Sequence, residues 1–300
     1  MADARRRAPD IQGQRIFCIV AAQRSGTTAL ANALARTTRF TNFGEIFQIP
    51  DSGNRISQKS AASFFQFIEA NKIGLTEMST THGATQLAER YMAFLKQRAV
   101  PNDIVIDVKL NAWRALAPAW GYPTGQPHFL RYLKTNAAFF IFVWRENLAD
   151  QVVSTFIARK LNVWHNLTAE LVSGRSFTAP VRAMRNLAVA ICEAESIVRA
   201  NLAKYRHRIE IPYERLFENG NPTRQFLDEF SAAAQLDLKG VLASSVRPNS
   251  VPKREIVTNY DEVVAAVDQI AARYRTAPPR RMMARAIADE EMDAPDGVGD

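Results

Sequence analysis

Cysteine is scarce in this 300-residue sequence, which contains only two such residues, Cys18 and Cys192. Two cysteines exclude a disulfide framework and the paired thiolates of most structural zinc sites. Cys18 lies in an apolar, strand-like run and Cys192 in a helix-like run, so we expect both to be buried and reduced. Reduced thiols are typical of a cytoplasmic protein. The four histidines have no metal-ligand spacing either, and the sequence predicts no metal cofactor.

Long apolar runs are also missing from the sequence. No segment has the length of about 20 apolar residues that a membrane-spanning helix needs. The N-terminal stretch MADARRRAPDIQGQ is basic and lacks the apolar centre of a signal peptide. We therefore predict no transmembrane segment, a mobile basic arm over residues 1–14 and a single domain over residues 15–280. Residues 281–300 end in the acidic stretch ADEEMDAPDGVGD, for which we expect disorder.

Positive charge exceeds negative charge, with 38 Lys and Arg against 30 Asp and Glu and a net charge of +8. This balance favours an anionic partner: a nucleotide, a phosphorylated or sulfated ligand, a nucleic acid or a membrane surface. Many basic proteins bind nothing acidic, so the charge alone leaves both interpretations open.

Short apolar runs alternate with longer helical patterns along the chain. The predicted strands are nearly continuously apolar, as in a buried parallel sheet, and cover Arg15–Ala22, Asp103–Lys109, Phe139–Trp144 and Arg208–Tyr213. The predicted helices cover Thr28–Arg36, Ser60–Asn71, Thr85–Arg98, Leu148–Leu161, Pro180–Tyr205, Thr223–Ala234 and Tyr260–Tyr274. The alternation predicts an α/β fold with a doubly wound, mostly parallel central sheet and helices on both faces. Ligands of such folds bind at the carboxyl ends of the strands.

The first motif, QRSGTT, follows the first predicted strand and opens a helix. Gly26 permits a tight turn, and the hydroxyls of Ser25, Thr27 and Thr28 together with the helix N-terminus offer donors to an anion. Arg24 adds a charged, planar donor group suited to phosphate or sulfate. The motif lacks the lysine of a nucleotide triphosphatase loop, and a capped turn without a ligand remains the alternative interpretation.

The second motif, WRENLADQVVS, follows the predicted strand Phe139–Trp144. Arg145 stands at the end of the strand, and Ser154 lies two turns into the next helix, where both could reach a second phosphate. The alternative is an ordinary capped amphipathic helix. Two separate anion sites at one sheet edge would suit a ligand with phosphates at both ends.

Together, RSGTT and WREN…QVVS resemble the sulfotransferase superfamily, in the form found in bacterial carbohydrate and glycolipid sulfotransferases. The resemblance covers residues 15 to 265 but is specific only at the motifs. It implies a P-loop-like fold and 3′-phosphoadenosine 5′-phosphosulfate (PAPS) as co-substrate, with no metal. Residues 24–28 would hold the 5′-phosphosulfate, Arg145 and Ser154 the 3′-phosphate, and Tyr213 would lie near the adenine. Tyr213 would equally suit a simple strand end.

The same resemblance assigns the catalytic roles. Arg24 would stabilise charge on the leaving phosphate, and Lys109 would stabilise the bridging oxygen. Many relatives carry a histidine two residues after that lysine, but Asn111 stands there in IDVKLN. The bacterial relatives use a glutamate in a Gly-rich turn instead, and Glu45 in FTNFGEIFQ is the candidate base. Surface roles for Glu45 and Lys109 are the alternatives.

The predicted partner is a hydroxyl-bearing acceptor, a sugar or glycolipid, and not a nucleic acid. The aromatic side chains of Trp113, Trp120 and Tyr122 would suit a sugar face, and equally a core or a homodimer contact. Two other functions remain open at this point. A nucleotide-dependent phosphotransferase would use Asp107 as a metal ligand, and a non-catalytic anion- or nucleotide-binding module would use the basic residues, including Arg5–Arg7, as a binding surface.

Overall fold

A computed structural model describes residues 13–48, 62–116, 127–163, 172, 174–238 and 252–276. Its central feature is a five-stranded sheet in which every strand pair is parallel. The strands are β1 (Ile16–Ala21), β2 (Phe40–Glu45), β3 (Asp103–Lys109), β4 (Phe139–Trp144) and β5 (Arg208–Pro212), in the order β2-β3-β1-β4-β5. The parallel α/β fold expected from the sequence is confirmed.

The helices of the described residues account for all seven segments predicted as helical. They are α1 (Thr27–Ala35), α2 (Phe64–Ala70), α3 (Leu75–Met78), α4 (Thr81–Ala99), α5 (His128–Thr135), α6 (Leu148–Leu161), α7 (Val181–Leu202), α8 (Arg224–Ala234), α9 (Lys253–Ile256) and α10 (Tyr260–Thr276). No helix among these residues is both long enough and apolar enough to cross a membrane.

The described residues group into two compact units. The first unit contains the sheet and comprises the described residues through Glu146 and from Lys204 to Leu238. Every residue of β1 and β3 is buried, which means that neighbours cover both faces of these strands. On one face, α1 and α8 pack over a core centred on Phe17, whose ring lies 5.2 Å from Phe40, 5.7 Å from Phe139 and 5.8 Å from Phe230.

The strand order places a topological switch point between β1 and β4. These strands are neighbours, but the chain leaves β1 for the β2 edge of the sheet and leaves β4 for the β5 edge. The connections therefore diverge at the carboxyl ends of β1 and β4, which is the place where α/β sheets bind ligands. The first motif follows β1, and Arg145 follows β4.

The second unit comprises α6, α7, α9 and α10 with the segments that join them, including residues 174–180. The long helices α7 and α10 pack against each other with buried apolar side chains such as Met184, Ile191, Val263 and Val267. Asn259 accepts a hydrogen bond from the backbone N–H of Ala179 at 2.8 Å and donates one to its carbonyl at 2.9 Å, which fixes the start of α10.

Some predicted features lie outside the described residues. They are the basic arm up to residue 12, the acidic tail 281–300, Trp120 and Tyr122. The single-domain assignment of residues 15–280 stays a prediction. Trp113 is described, and it is a buried core residue with 2% of its surface exposed.

Candidate functional site

The first motif forms a loop with two left-handed residues between β1 and α1. Arg24 has φ 64° and Gly26 has φ 69°, a conformation that glycine adopts freely and arginine adopts at a cost. Gly26 is the N-cap of α1 and has no side chain of its own with which to cap this helix end. The helix N-terminus therefore presents its backbone N–H groups and the positive end of its dipole within the motif.

The register of the sheet brings β3 under this loop. Asp107 lies beside Ile19 and Lys109 beside Ala21, two residues apart on one strand and therefore on the same face of the sheet. That face also carries Phe17 and is the face covered by α1. Asp107 and Lys109 consequently point toward the first turn of α1.

Thr27, Asp107 and Lys109 form a buried polar network at this position. The Thr27 hydroxyl donates to Asp107 Oδ2 at 2.5 Å, and Lys109 Nζ donates to the same oxygen at 2.7 Å and also to Thr27 Oγ1. The three residues are 1–5% exposed. The network joins the end of β3 to the start of the helix that follows the first motif.

Glu45 enters the network through a β-bulge in β2. The pairing of β2 with β3 shifts between Asn42 and Glu45, so that Glu45, and not Gly44, lies opposite Asp107. Gly44 has φ 66°, which supplies the left-handed residue typical of such a bulge. As a result the carboxylate of Glu45 lies 3.4 Å from Lys109 Nζ, with 24% of its side chain exposed.

Lys109 is held as a cation by its neighbours. Burial lowers the pKa of its ammonium, but the attraction of Asp107 and then of Glu45 outweighs burial, and the pKa is raised from its ordinary value. Oxygen atoms of Asp107, Thr27 and Glu45 lie within 3.4 Å of Lys109 Nζ, which carries three N–H donors. Lys109 therefore connects the candidate base to the first motif.

Arg145 lies on the other side of the first motif, beside Arg24 and Tyr213. Its Nη1 donates to the Arg24 carbonyl at 3.5 Å, its guanidinium lies 4.6 Å from the centre of the Tyr213 ring, and its Nε lies 3.4 Å from Glu214 Oε1. The side chain is 12% exposed. Because these contacts already fix the guanidinium of Arg145, less entropy is lost when it binds an oxyanion.

Tyr213 is also in contact with the first motif. The sequence places it at the end of a strand, but β5 ends at Pro212 and Tyr213 begins a 3₁₀ turn that runs to Arg215. Its ring lies against Gly26, where a Cβ would be 2.7 Å from Tyr213 Cδ2 and closer still to Cε2. Tyr213 is therefore a neighbour of the loop in this structure, and its contact with an adenine stays a prediction.

The remaining predicted residues are placed as follows. Ser25 is buried and Thr28 is exposed, both at the loop or the first turn of α1. Ser154 is 6% exposed on α6 in the second unit, and its pairing with Arg145 at a 3′-phosphate stays a prediction. Among the described residues no group of three or more His, Cys, Asp or Glu side chains could hold a metal ion.

The sequence reasoning missed the role of Asp107 in this network. It considered Asp107 only as a metal ligand for a phosphotransferase, whereas the carboxylate is bound to the Lys109 ammonium. The signal that could have indicated this is the Asp-x-Lys spacing at a strand end, which places both side chains on one face.

No family model matches this chain, and no curated protein matches it. Among solved structures, the chain is similar to a crystal structure of mouse sulfotransferase SULT7A1 complexed with PAP, at 15% identity and a TM-score of 0.39. The match covers 84% of this chain and 64% of that chain, which is less than two thirds of its length.

Proposed function

We propose that this protein is an enzyme that transfers a sulfuryl group from PAPS to a hydroxyl of an acceptor. The observation that carries the proposal is the Lys109 bridge between Glu45 and the first motif, at the carboxyl edge of a parallel sheet. A candidate base, a cation and an anion-binding loop lie side by side there. Sulfuryl transfer requires this combination, because a proton must leave the acceptor while negative charge develops on the leaving phosphate.

The donor would bind at the switch point. In the proposal, the N–H groups at the start of α1, the hydroxyls of Ser25 and Thr28 and the guanidinium of Arg24 hold the 5′-phosphosulfate. The 3′-phosphate is held by Arg145 and Ser154. Arg145 follows β4 and donates a hydrogen bond to the Arg24 carbonyl. Tyr213 lies next to the adenosine. The side chains of Arg24, Lys109 and Arg145 supply the positive charge, and the reaction needs no metal.

The chemistry follows from the positions of Glu45 and Lys109. Glu45 takes the proton from the acceptor hydroxyl, and the acceptor oxygen forms a bond to sulfur in line with the bond that breaks. The electron pair of that breaking S–O bond goes to the bridging oxygen, which leaves as part of adenosine 3′,5′-bisphosphate. Protonation cancels the charge of Glu45 and weakens its pair with Lys109. One N–H of Lys109 is then available to the bridging oxygen as its charge develops.

The phosphotransferase alternative fits this site less well. It would need a loop lysine, which the first motif lacks, and a free strand-end carboxylate for Mg²⁺. Asp107 is already paired with the Lys109 ammonium at 2.7 Å, so a metal ion would have to displace a cation. A non-catalytic binding module would have no use for a carboxylate next to the anion loop, since Glu45 repels anions.

We propose a carbohydrate or glycolipid as the acceptor and the cytoplasm as the location. The acceptor class is supported by the form of the two motifs. The location is supported by the two cysteines, both free and buried as expected.

The experiment that tests the proposed function measures the two products formed from the sulfuryl donor. Purified protein is incubated with ³⁵S-labelled PAPS and a panel of mono-, oligo- and glycolipid sugars, and both adenosine 3′,5′-bisphosphate and labelled products are measured. The proposal expects acceptor-dependent release of the bisphosphate, lost in Glu45→Gln. Consumption of ATP–Mg²⁺ in place of PAPS would contradict it and favour the phosphotransferase.

A further inference from the structure

We infer that Asp107 is a positioning residue: its carboxylate holds the Lys109 ammonium in place between Thr27 and Glu45. None of the roles assigned from the two motifs includes this residue. The catalytic consequence of the inference rests on the proposed function, whereas the position and charge of Lys109 do not.

The geometry of the carboxylate carries the inference. Asp107 Oδ2 accepts hydrogen bonds from both Thr27 and Lys109, and only 1% of the residue is exposed. Its second oxygen, Oδ1, is buried and has no hydrogen-bond partner within the part of the chain that the structure describes. The carboxylate of Asp107 therefore interacts with Thr27 and Lys109, and these hydrogen bonds link the end of β3 to the first turn of α1.

Loss of the Asp107 charge would change the protonation of Lys109. Lys109 is 5% exposed, and burial by itself opposes the charge of its ammonium. The partner that would remain is Glu45, which is more distant at 3.4 Å and partly in contact with solvent, so that its attraction is screened. Without Asp107 the amine would give up its proton at a lower pH and release Glu45 and Thr27.

The other groups around this position do not replace Asp107. Cys18 on β1 also lies within the field of Asp107, but burial and then that carboxylate raise the pKa of its thiol well above its ordinary value, so it stays uncharged. Glu45 on β2 is the second carboxylate that acts on Lys109. Thr27 on α1 carries no charge.

The first test measures the protonation of Lys109 directly and does not depend on any activity. The ¹⁵Nζ signal of Lys109 is assigned with Lys109→Met and followed against pH in wild type, in Asp107→Asn and in Asp103→Asn. Asp103 is the matched control, because it is a buried carboxylate of the same strand that pairs with Arg15 and Arg39 instead. We expect the titration midpoint of Lys109 to fall by at least about one pH unit in Asp107→Asn, a tenfold change in proton affinity, and not in Asp103→Asn. An unchanged midpoint in Asp107→Asn would overturn the inference.

The second test measures kinetics and binding. In Asp107→Asn we expect kcat to fall by ~10- to 100-fold, because Glu45 loses its position, while KM for PAPS changes by less. The basic limb of the pH–rate profile should move to lower pH, a shift that a merely structural role would not produce. If the wild-type protein neither binds nor uses PAPS, the proposed function fails, while the NMR titration still decides the role of Asp107. A rise in KM for PAPS with kcat unchanged would overturn the positioning role.

A third comparison covers the case in which Asp107→Asn does not fold. The double variant Asp107→Asn/Lys109→Met removes both members of the pair, whereas Lys109→Met alone leaves a buried carboxylate without its cation. We expect the double variant to unfold at a higher urea concentration than Lys109→Met. The reverse order would show that Asp107 does not act through Lys109.

Discussion

The ring of Tyr213 lies against the backbone of Gly26, so close that a Cβ on Gly26 would come within 2.7 Å of Tyr213 Cδ2. Gly26 is also left-handed, with φ 69°. Two independent constraints therefore require glycine at the start of α1. Gly26 is the residue at which the first motif passes into α1.

Gly26→Ala is expected to destabilise the protein and to disturb the first motif. An alanine at positive φ costs roughly 1–2 kcal/mol, and the clash with the Tyr213 ring adds to this cost. Gly174→Ala is the matched control, because Gly174 has φ 67° and no atom of the described residues lies within 4 Å of a Cβ placed there. The free energy of unfolding is measured in urea for both variants. An equal loss in the two would contradict the Tyr213 contact.

His128 is expected to make stability depend on pH. Burial and then the nearby Arg131 lower its pKa from the ordinary value of 6.5, against the opposing effect of the Ala84 backbone. Arg131 donates to Nδ1 at 3.4 Å, which leaves the proton on Nε2, facing Thr85 Oγ1 at 3.3 Å. The folded state therefore holds His128 neutral at a pH where the unfolded chain already takes up a proton.

Proton uptake by His128 in the unfolded chain sets the direction in which stability changes with pH. Because the folded pKa is lowered, the unfolded state binds more protons below about pH 6.5, and stability is lost as the pH falls through this range. The loss is at most about 1.4 kcal/mol for each unit by which the pKa is lowered. Urea unfolding at pH 7.5 and 5.5 should show a smaller drop in His128→Gln than in wild type, whereas His82→Gln, on an exposed residue, should match wild type. A drop that is the same in all three proteins would contradict this account.

The two thiols are expected to be unreactive in the folded protein. Both cysteines are free and buried. Burial, followed by the influence of Glu195, raises the pKa of Cys192 to about 12, so its thiolate is scarce near neutral pH. With an aromatic disulfide reagent at pH 8 we expect no rapid reaction in buffer and two thiols per chain in urea. Rapid release of one equivalent from the folded protein would contradict the buried position, and Cys192→Ala would identify the residue.

The sequence predicts four of the five strands of the sheet and the long helices, but misses one of the two edge strands. Asp103–Lys109, Phe139–Trp144 and Leu148–Leu161 have the predicted bounds, since continuous apolar runs and a clear N-cap at Asn147 mark them. The edge strand Phe40–Glu45 was not predicted, because FTNFGE mixes polar residues and glycine with two phenylalanines. The short helix His128–Thr135 is not among the predicted helices either, although its buried residues Phe129, Leu130 and Leu133 have helical spacing.

The candidate site could be predicted only in part. The first motif and Arg145 stand next to strand ends in the sequence, and parallel strands bring their carboxyl ends to one edge. The link between Lys109 and Thr27 joins residues 82 positions apart and depends on the register of β1 with β3. The approach of Glu45 depends on one extra residue in β2. Neither the register nor the bulge can be read from local patterns.

The proposed function has Arg24 and Arg145 bind a nucleotide that carries a 3′-phosphate. Its most direct test is calorimetric titration of the protein with adenosine 3′,5′-bisphosphate, with ADP and ATP–Mg²⁺ as comparators. Arg24→Ala and Arg145→Ala are titrated in parallel, with Arg90→Ala, on an exposed residue of α4, as the control. The account predicts selective binding of the bisphosphate, ~10- to 100-fold weaker in the first two variants and unchanged in the third. Preference for ATP–Mg²⁺, or equal affinity for the bisphosphate in all four proteins, would contradict it.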